Sequence, residues 1–66
     1  MAAVVFNRRK SSGNIYYVLG MAYTSLVQEG RAEEAKTMCD RVYVSESYES
    51  ALSIISDYVE LVEVGK

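Results

Sequence analysis

The sequence predicts an all-α fold class: a small three-helix domain preceded by a short apolar N-terminal strand or tail. Three observations carry that expectation. Eighteen consecutive residues, Ser11 to Gln28, hold no charge, and most of them read as one helix, Asn14 to Glu29. Apolar residues then recur at helical spacing twice more, over residues 31–43 and 47–63. No proline interrupts any of these stretches.

Taken in order, Ala2 to Phe6 is a β-prone apolar stretch, suited to an edge strand or a disordered tail. Arg8 to Gly13 is a polar, basic linker, so residues 1–13 divide from a helical domain over 14–66. Asn14 can cap the first helix by accepting from a free N–H of its first turn. Gly30 ends that helix as the residue just past its C-cap. Its core row is Ile15, Leu19, Ala22 and Leu26. The second helix runs from about Arg31 to Tyr43, with Ala32, Ala35, Cys39 and Val42 as its core row and Met38 beside it. Glu33 and Glu34 open it and Arg41 closes it, as the helix dipole favours. After a turn at Val44 to Glu46, Ser47 caps a third helix expected to reach Glu63. Tyr48, Leu52, Ile55, Val59 and Val62 form its apolar stripe, and Gly65 and Lys66 its frayed end. Gly20, in mid-helix, costs about 1 kcal/mol relative to alanine. Its expected reason is the close approach of another helix.

Composition narrows the functional classes. A 66-residue chain lies near the lower limit for folding without disulfides, metals or association. Its one cysteine, Cys39, forms no internal disulfide, and there is no histidine to build a zinc site or activate a thiol. No metal or cofactor is therefore expected, and oligomerisation is the remaining aid. Hydrophobic residues make up 50% of the chain, which argues against disorder. The formal net charge is −2. It divides into +3 over residues 1–31, four cations against Glu29, and −5 over residues 32–66, three cations against eight acids. That balance makes nucleic acid an unfavoured partner. The apolar start precedes its basic residues, the reverse of a signal peptide. The densest apolar run, Ile15 to Tyr23, falls well short of the roughly twenty residues of a membrane span. A lone free cysteine suits a reducing compartment, and a cytoplasmic location is expected.

The first helix is apolar or aromatic on nearly every side, and the rest of so short a chain cannot cover it all round. A second chain or another protein is expected to cover the remainder. Tyr16, Tyr23 and Val27 form one row beside the core row, and Ile54, Tyr58 and Leu61 form another on the third helix. These six residues are the expected protein interface, because tyrosine offers a large apolar body with a polar tip. Tyr17 and Met21 are the reserve surface. Arg8, Arg9, Lys10, Ser12 and Asn14 lead into a helix N-terminus and form a candidate anion site, although their spacing matches no phosphate loop. Cys39 reads as a small core hydrophobe, and the carboxylates as solvated helix faces, so no catalytic residue is assigned.

Two resemblances bear on this reading. Leu19-Gly20-x-x-Tyr23 followed by Gly30-Arg31-Ala32-Glu33-Glu34-Ala35 resembles one tetratricopeptide unit, an echo of helix-hairpin packing. A longer pattern joins Gly13-Asn14-Ile15, Val18, Gly20, Gly30, Glu34-Ala35, Ser45-x-x-Tyr48, Leu52 and Tyr58-Val59. It resembles small orphan proteins of bacteriophages and integrative elements that share a Gly-Asn start, a mid-helix glycine and a Ser-Gly-Asp-Tyr turn. Here that turn reads Ser45-Glu46-Ser47-Tyr48. The resemblance implies a mobile-element setting, in which very small proteins act by binding host or viral proteins, and it supplies no catalytic residues. The expected function is a non-enzymatic interaction module, self-associating or modulating a host protein, with inhibition of a defence protein as one version. The alternative is a small DNA-binding regulator, since the order strand, basic linker, helix, helix resembles ribbon-helix-helix dimers.

Overall fold

The local signals that bound the first helix and open the third act as their chemistry dictates. The computed structural model describes residues 3–65 and places β1 at Ala3–Phe6, a 3-10 turn at Ser11–Gly13, α1 at Ile15–Gln28, α2 at Ala32–Tyr43, α3 at Tyr48–Ser56 and β2 at Glu60–Glu63. The Asn14 side chain accepts from Tyr16 N at 2.8 Å and starts α1. Gly30 ends it at φ 77°. There Arg31 N donates to Leu26 O at 2.8 Å and Gly30 N to Val27 O at 3.0 Å, satisfying carbonyls that the helix end would leave open. Ser47 Oγ accepts from Ser50 N at 3.0 Å and starts α3. The strand start expected at Ala2 and the frayed end expected at Lys66 lie outside the described residues.

The fold class differs from the all-α expectation in one respect: three helices are joined by a short two-stranded parallel sheet. The third helix stops at Ser56, not Glu63. Asp57 N donates to Ile54 O and Tyr58 N to Ile55 O, tightening the last turn. The chain then reaches Val59, which is fully buried, and runs out as β2. Three β-branched residues, Val59, Val62 and Val64, favour extended backbone in this segment. β1 supplies a partner for it, in the register Ala3↔Glu60, Val4↔Leu61, Val5↔Val62 and Phe6↔Glu63. Val64 N extends the ladder to Phe6 O at 2.9 Å. All three helices form the connection that parallel pairing requires.

β1 alternates, with Val4 and Phe6 buried and Ala3 and Val5 exposed. One core therefore takes in residues on both sides of position 13, Val4 and Phe6 before it and the helices after it. Val18, Leu19, Ala22 and Leu26 of α1 meet Ala35, Met38 and Val42 of α2 and Ala51, Leu52 and Ile55 of α3. Burying a side chain such as Leu26, Met38 or Ile55 contributes about 1.5–3 kcal/mol. In α2 the buried row is Ala35, Met38 and Val42. Met38, expected beside the row, is central; Ala32 is exposed and Cys39 half-buried.

Gly13 explains how the N-terminal strand reaches the helices. A side-chain carbon at position 13 would lie 2.2 Å from Arg8 Cα and 2.4 Å from Asn7 O, so only glycine admits this crossing of backbones. Tyr48 Oη donates to Gly13 O at 2.5 Å and ties α3 to the same point. Gly20 is different. A side-chain carbon there would meet no atom within 4 Å, and the residue is exposed. The expected close crossing of a second helix within the chain is absent, because α1 turns its opposite face to α2, α3 and β1.

Candidate interaction surface

The 14 residues of α1 advance about 100° each, so its buried residues occupy one arc of the helix. Val18, Leu19, Ala22 and Leu26 define that arc, with Ile15 at its edge. The opposite arc carries Tyr16, Tyr17, Gly20, Met21, Tyr23, Thr24, Val27 and Gln28, without one charge. Its large residues are open to solvent: Tyr16 is 71% exposed, Tyr17 45%, Met21 44%, Tyr23 40% and Val27 44%. A solvated helix face normally holds charges, whereas this one holds aromatic and aliphatic side chains. Gly20 sits in its middle, a notch flanked by Tyr16, Tyr23 and Val27 along one stripe.

The apolar surface continues past the end of α1. Tyr16 shares a cleft of about 330 Å³ with Ile15, Val42, Tyr43, Tyr48 and Ala51, closed on its polar side by Ser45, Glu46 and Ser47. Tyr43 is 72% exposed and Val44, in the turn after α2, 79%. The sequence reading missed both, although a valine in a turn between two helices was an available signal. A second, more open depression of about 520 Å³ lies between α2 and α3, lined by Arg41, Val44, Ser45, Glu46, Ser50, Ser53 and Ile54.

The six residues expected to form one interface separate into two groups. Tyr16, Tyr23 and Val27 share the exposed arc of α1. Ile54, Tyr58 and Leu61 are half-buried and pack against the core. Leu61 stands on β2 opposite Val4, not on a helical row with Ile54 and Tyr58. Tyr58 is engaged within the chain: Arg41 Nη1 donates to its hydroxyl at 3.1 Å, and the guanidinium lies 5.6 Å from its ring centroid. Arg41 also pairs with Asp57 at 3.2 Å, so this group ties α2 to the end of α3.

The candidate anion residues are largely engaged as well. Arg8 Nη1 donates to Glu49 Oε2 at 2.6 Å, and its Nε and Nη2 donate to the two carboxylate oxygens of Glu63. These hydrogen bonds hold the Arg8 pKa above its ordinary value. The guanidinium also sits 5.6 Å from the Tyr48 ring centroid. Ser12 Oγ accepts from Asn7 N at 3.0 Å, and Asn14 caps α1. Arg9 and Lys10 are exposed. What the sequence presented as a basic linker is a clasp joining the end of β1 to α3 and β2. Exposed pairs of this kind contribute little energy, but they fix geometry.

Cys39 is half-buried, and burial, reinforced by Asp40, pushes its thiol up from the ordinary value. Among the described residues, no three cysteine or carboxylate side chains are grouped to hold a metal ion. Nor, among those residues, is any helix long and apolar enough to cross a membrane. The chain matches no protein-family model, and neither a curated protein nor a solved structure shows significant similarity to it.

Proposed function

We propose that this chain is a non-enzymatic protein-interaction module whose working surface is the outer face of α1. The observation that carries the reading is that face itself: Tyr16, Tyr17, Met21, Tyr23 and Val27, all substantially exposed and with no charge among or between them. Rigid aromatic side chains of this kind give large contact area at low entropic cost, and protein interfaces are enriched in them. A phosphate backbone would find no cation on this face, and Arg8, the first of the basic residues, is held by Glu49 and Glu63. The proposed partners are a second copy of the chain or a host protein. The resemblance to small proteins of bacteriophages and integrative elements supports the latter class.

The test is the paired substitution Tyr16→Glu and Tyr23→Glu. Both positions face solvent in the single chain, so helical content by circular dichroism should be retained. In a complex the carboxylates would be buried without partners, at a cost of several kcal/mol. Association measured by light scattering, or by capture of a host protein, should be lost. A variant that associates as tightly as the parent would place the working surface elsewhere. A DNA duplex at low salt should stay unshifted by the parent chain.

A further inference from the structure

We infer that two copies of this chain dock through their α1 outer faces, antiparallel and two-fold related, crossing at Gly20. This rests on the interaction reading above and commits it to one occupant. Gly20 supplies the first argument. An exposed glycine in mid-helix costs about 1 kcal/mol relative to alanine, and among the described residues nothing fills the space beside it. Such a notch admits the backbone of an approaching helix.

Self-complementarity supplies the second argument. A two-fold interface sets each patch against itself, so a charged face would oppose its own copy. This face has no charge to oppose. With Gly20 on the axis, the rise of about 1.5 Å per residue brings Tyr16 of one copy level with Thr24 of the other. Two tyrosine rings then close over the glycine contact from either end.

The flanks of α1 give the direction. Exposed Arg9 and Lys10 precede the helix. At and beyond its C-terminal end three acids, Glu29, Glu33 and Glu34, outnumber one cation, Arg31, which pairs with Glu29 and Glu34 and leaves the end net acidic. Antiparallel packing places the basic flank of one copy beside the acidic flank of the other and opposes the two helix dipoles. Parallel packing would juxtapose like charges. The large exposed side chains of the face offer on the order of 600 Å² per chain, somewhat below the roughly 800 Å² of a standard interface. An area of that size suits a reversible dimer.

The test compares the full chain with Gly20→Leu by sedimentation from about 10 µM to about 1 mM. The parent should show a monomer–dimer equilibrium. Gly20→Leu should melt at or above the parent when dilute, because the site is open and leucine is the better helix former. Yet its dimer should weaken by about tenfold or more. Orientation is read in a Cys39→Ser background: Tyr16→Cys mixed with Thr24→Cys should form the mixed disulfide faster than either variant forms its own. A parent that stays monomeric, a Gly20→Leu chain that unfolds, or one that dimerises as tightly as the parent overturns the proposal. So does faster self-linking of Tyr16→Cys, which would mean parallel packing. If Gly20→Leu keeps its dimer while Tyr16→Glu with Tyr23→Glu loses it, this crossing fails and the interaction reading stands.

Discussion

Replacing Gly13 with alanine should unfold much of what holds the N-terminal strand to the helices. Ordinarily a glycine-to-alanine change stabilises a protein slightly, by about 0.4–1 kcal/mol, because it restricts the unfolded chain. At position 13 the added carbon would lie 2.2 Å from Arg8 Cα, 2.4 Å from Asn7 O and 2.7 Å from Arg8 C. All three are backbone atoms, so no side chain can swing away. Relief needs a shift of more than an ångström in the strand-to-turn connection. That shift disturbs Lys10 N to Asn7 O at 2.9 Å, Asn7 N to Ser12 Oγ at 3.0 Å and the Arg8 clasp on Glu49 and Glu63. Overpacking of this kind costs about 1–3 kcal/mol, and the rigid neighbours put this case at the upper end. A domain of this size holds only several kcal/mol in total. The midpoint of thermal unfolding should fall by about 10–20 °C. Circular dichroism melts of parent and variant at equal dilute concentration measure it. An unchanged or raised midpoint would refute the reasoning, because it would mean that the strand does not cross the helix start at Gly13.

Three further outcomes follow from the same contacts. Tyr48→Phe removes the hydroxyl that donates to Gly13 O at 2.5 Å, and should cost about 1 kcal/mol in a urea titration; an unchanged midpoint would mean that the bond contributes nothing. Arg31 hydrogen-bonds Glu34 and holds its carboxyl below the usual 4.5, so the folded chain keeps this proton off more readily than the unfolded one. Stability from this pair is present above about pH 4.5 and lost as pH falls through the lower folded value, and Glu34→Gln should lower stability at neutral pH but not in strong acid. Burial raises the Cys39 thiol, so alkylation near pH 8 should be slow in the folded chain and accelerate in urea, whereas a fast native reaction would mean an exposed thiolate.

The parts of this fold that local chemistry determines were legible in the sequence. Asn14, Gly30 and Ser47 act at short range and mark helix ends wherever the rest of the chain lies. The buried stripe Leu52, Ile55 and Val59 was also legible, because burial follows the apolar positions whichever backbone carries them. The change of backbone after Ser56 was not. Tyr58, Leu61 and Val62 fit a continued helical row as well as they fit a strand. The choice is made by β1, more than fifty residues away, whose open edge the segment pairs with. Arg8 shows the same limit. Its partners, Glu49 and Glu63, are distant in sequence, so a clasp looked like a linker. Gly20 was visible as an anomaly, but only the folded chain distinguishes an internal crossing from an open notch. The half of the expected interface on α1 rests on a property of one helix, its lack of charge on every side. The half on α3 and β2 depended on a helix that ends early.

The outer face of α1 is the interaction surface we propose. Amide and methyl chemical shifts followed through a dilution series of the full chain test it most directly. Concentration-dependent shifts are expected at Tyr16, Tyr17, Gly20, Met21, Tyr23, Thr24 and Val27, with β1, β2 and the Arg41–Tyr58 contact unmoved. Shifts confined to the β1–β2 edges or to the α2–α3 depression would contradict that assignment, and no shifts at all would overturn docking between two copies of the chain.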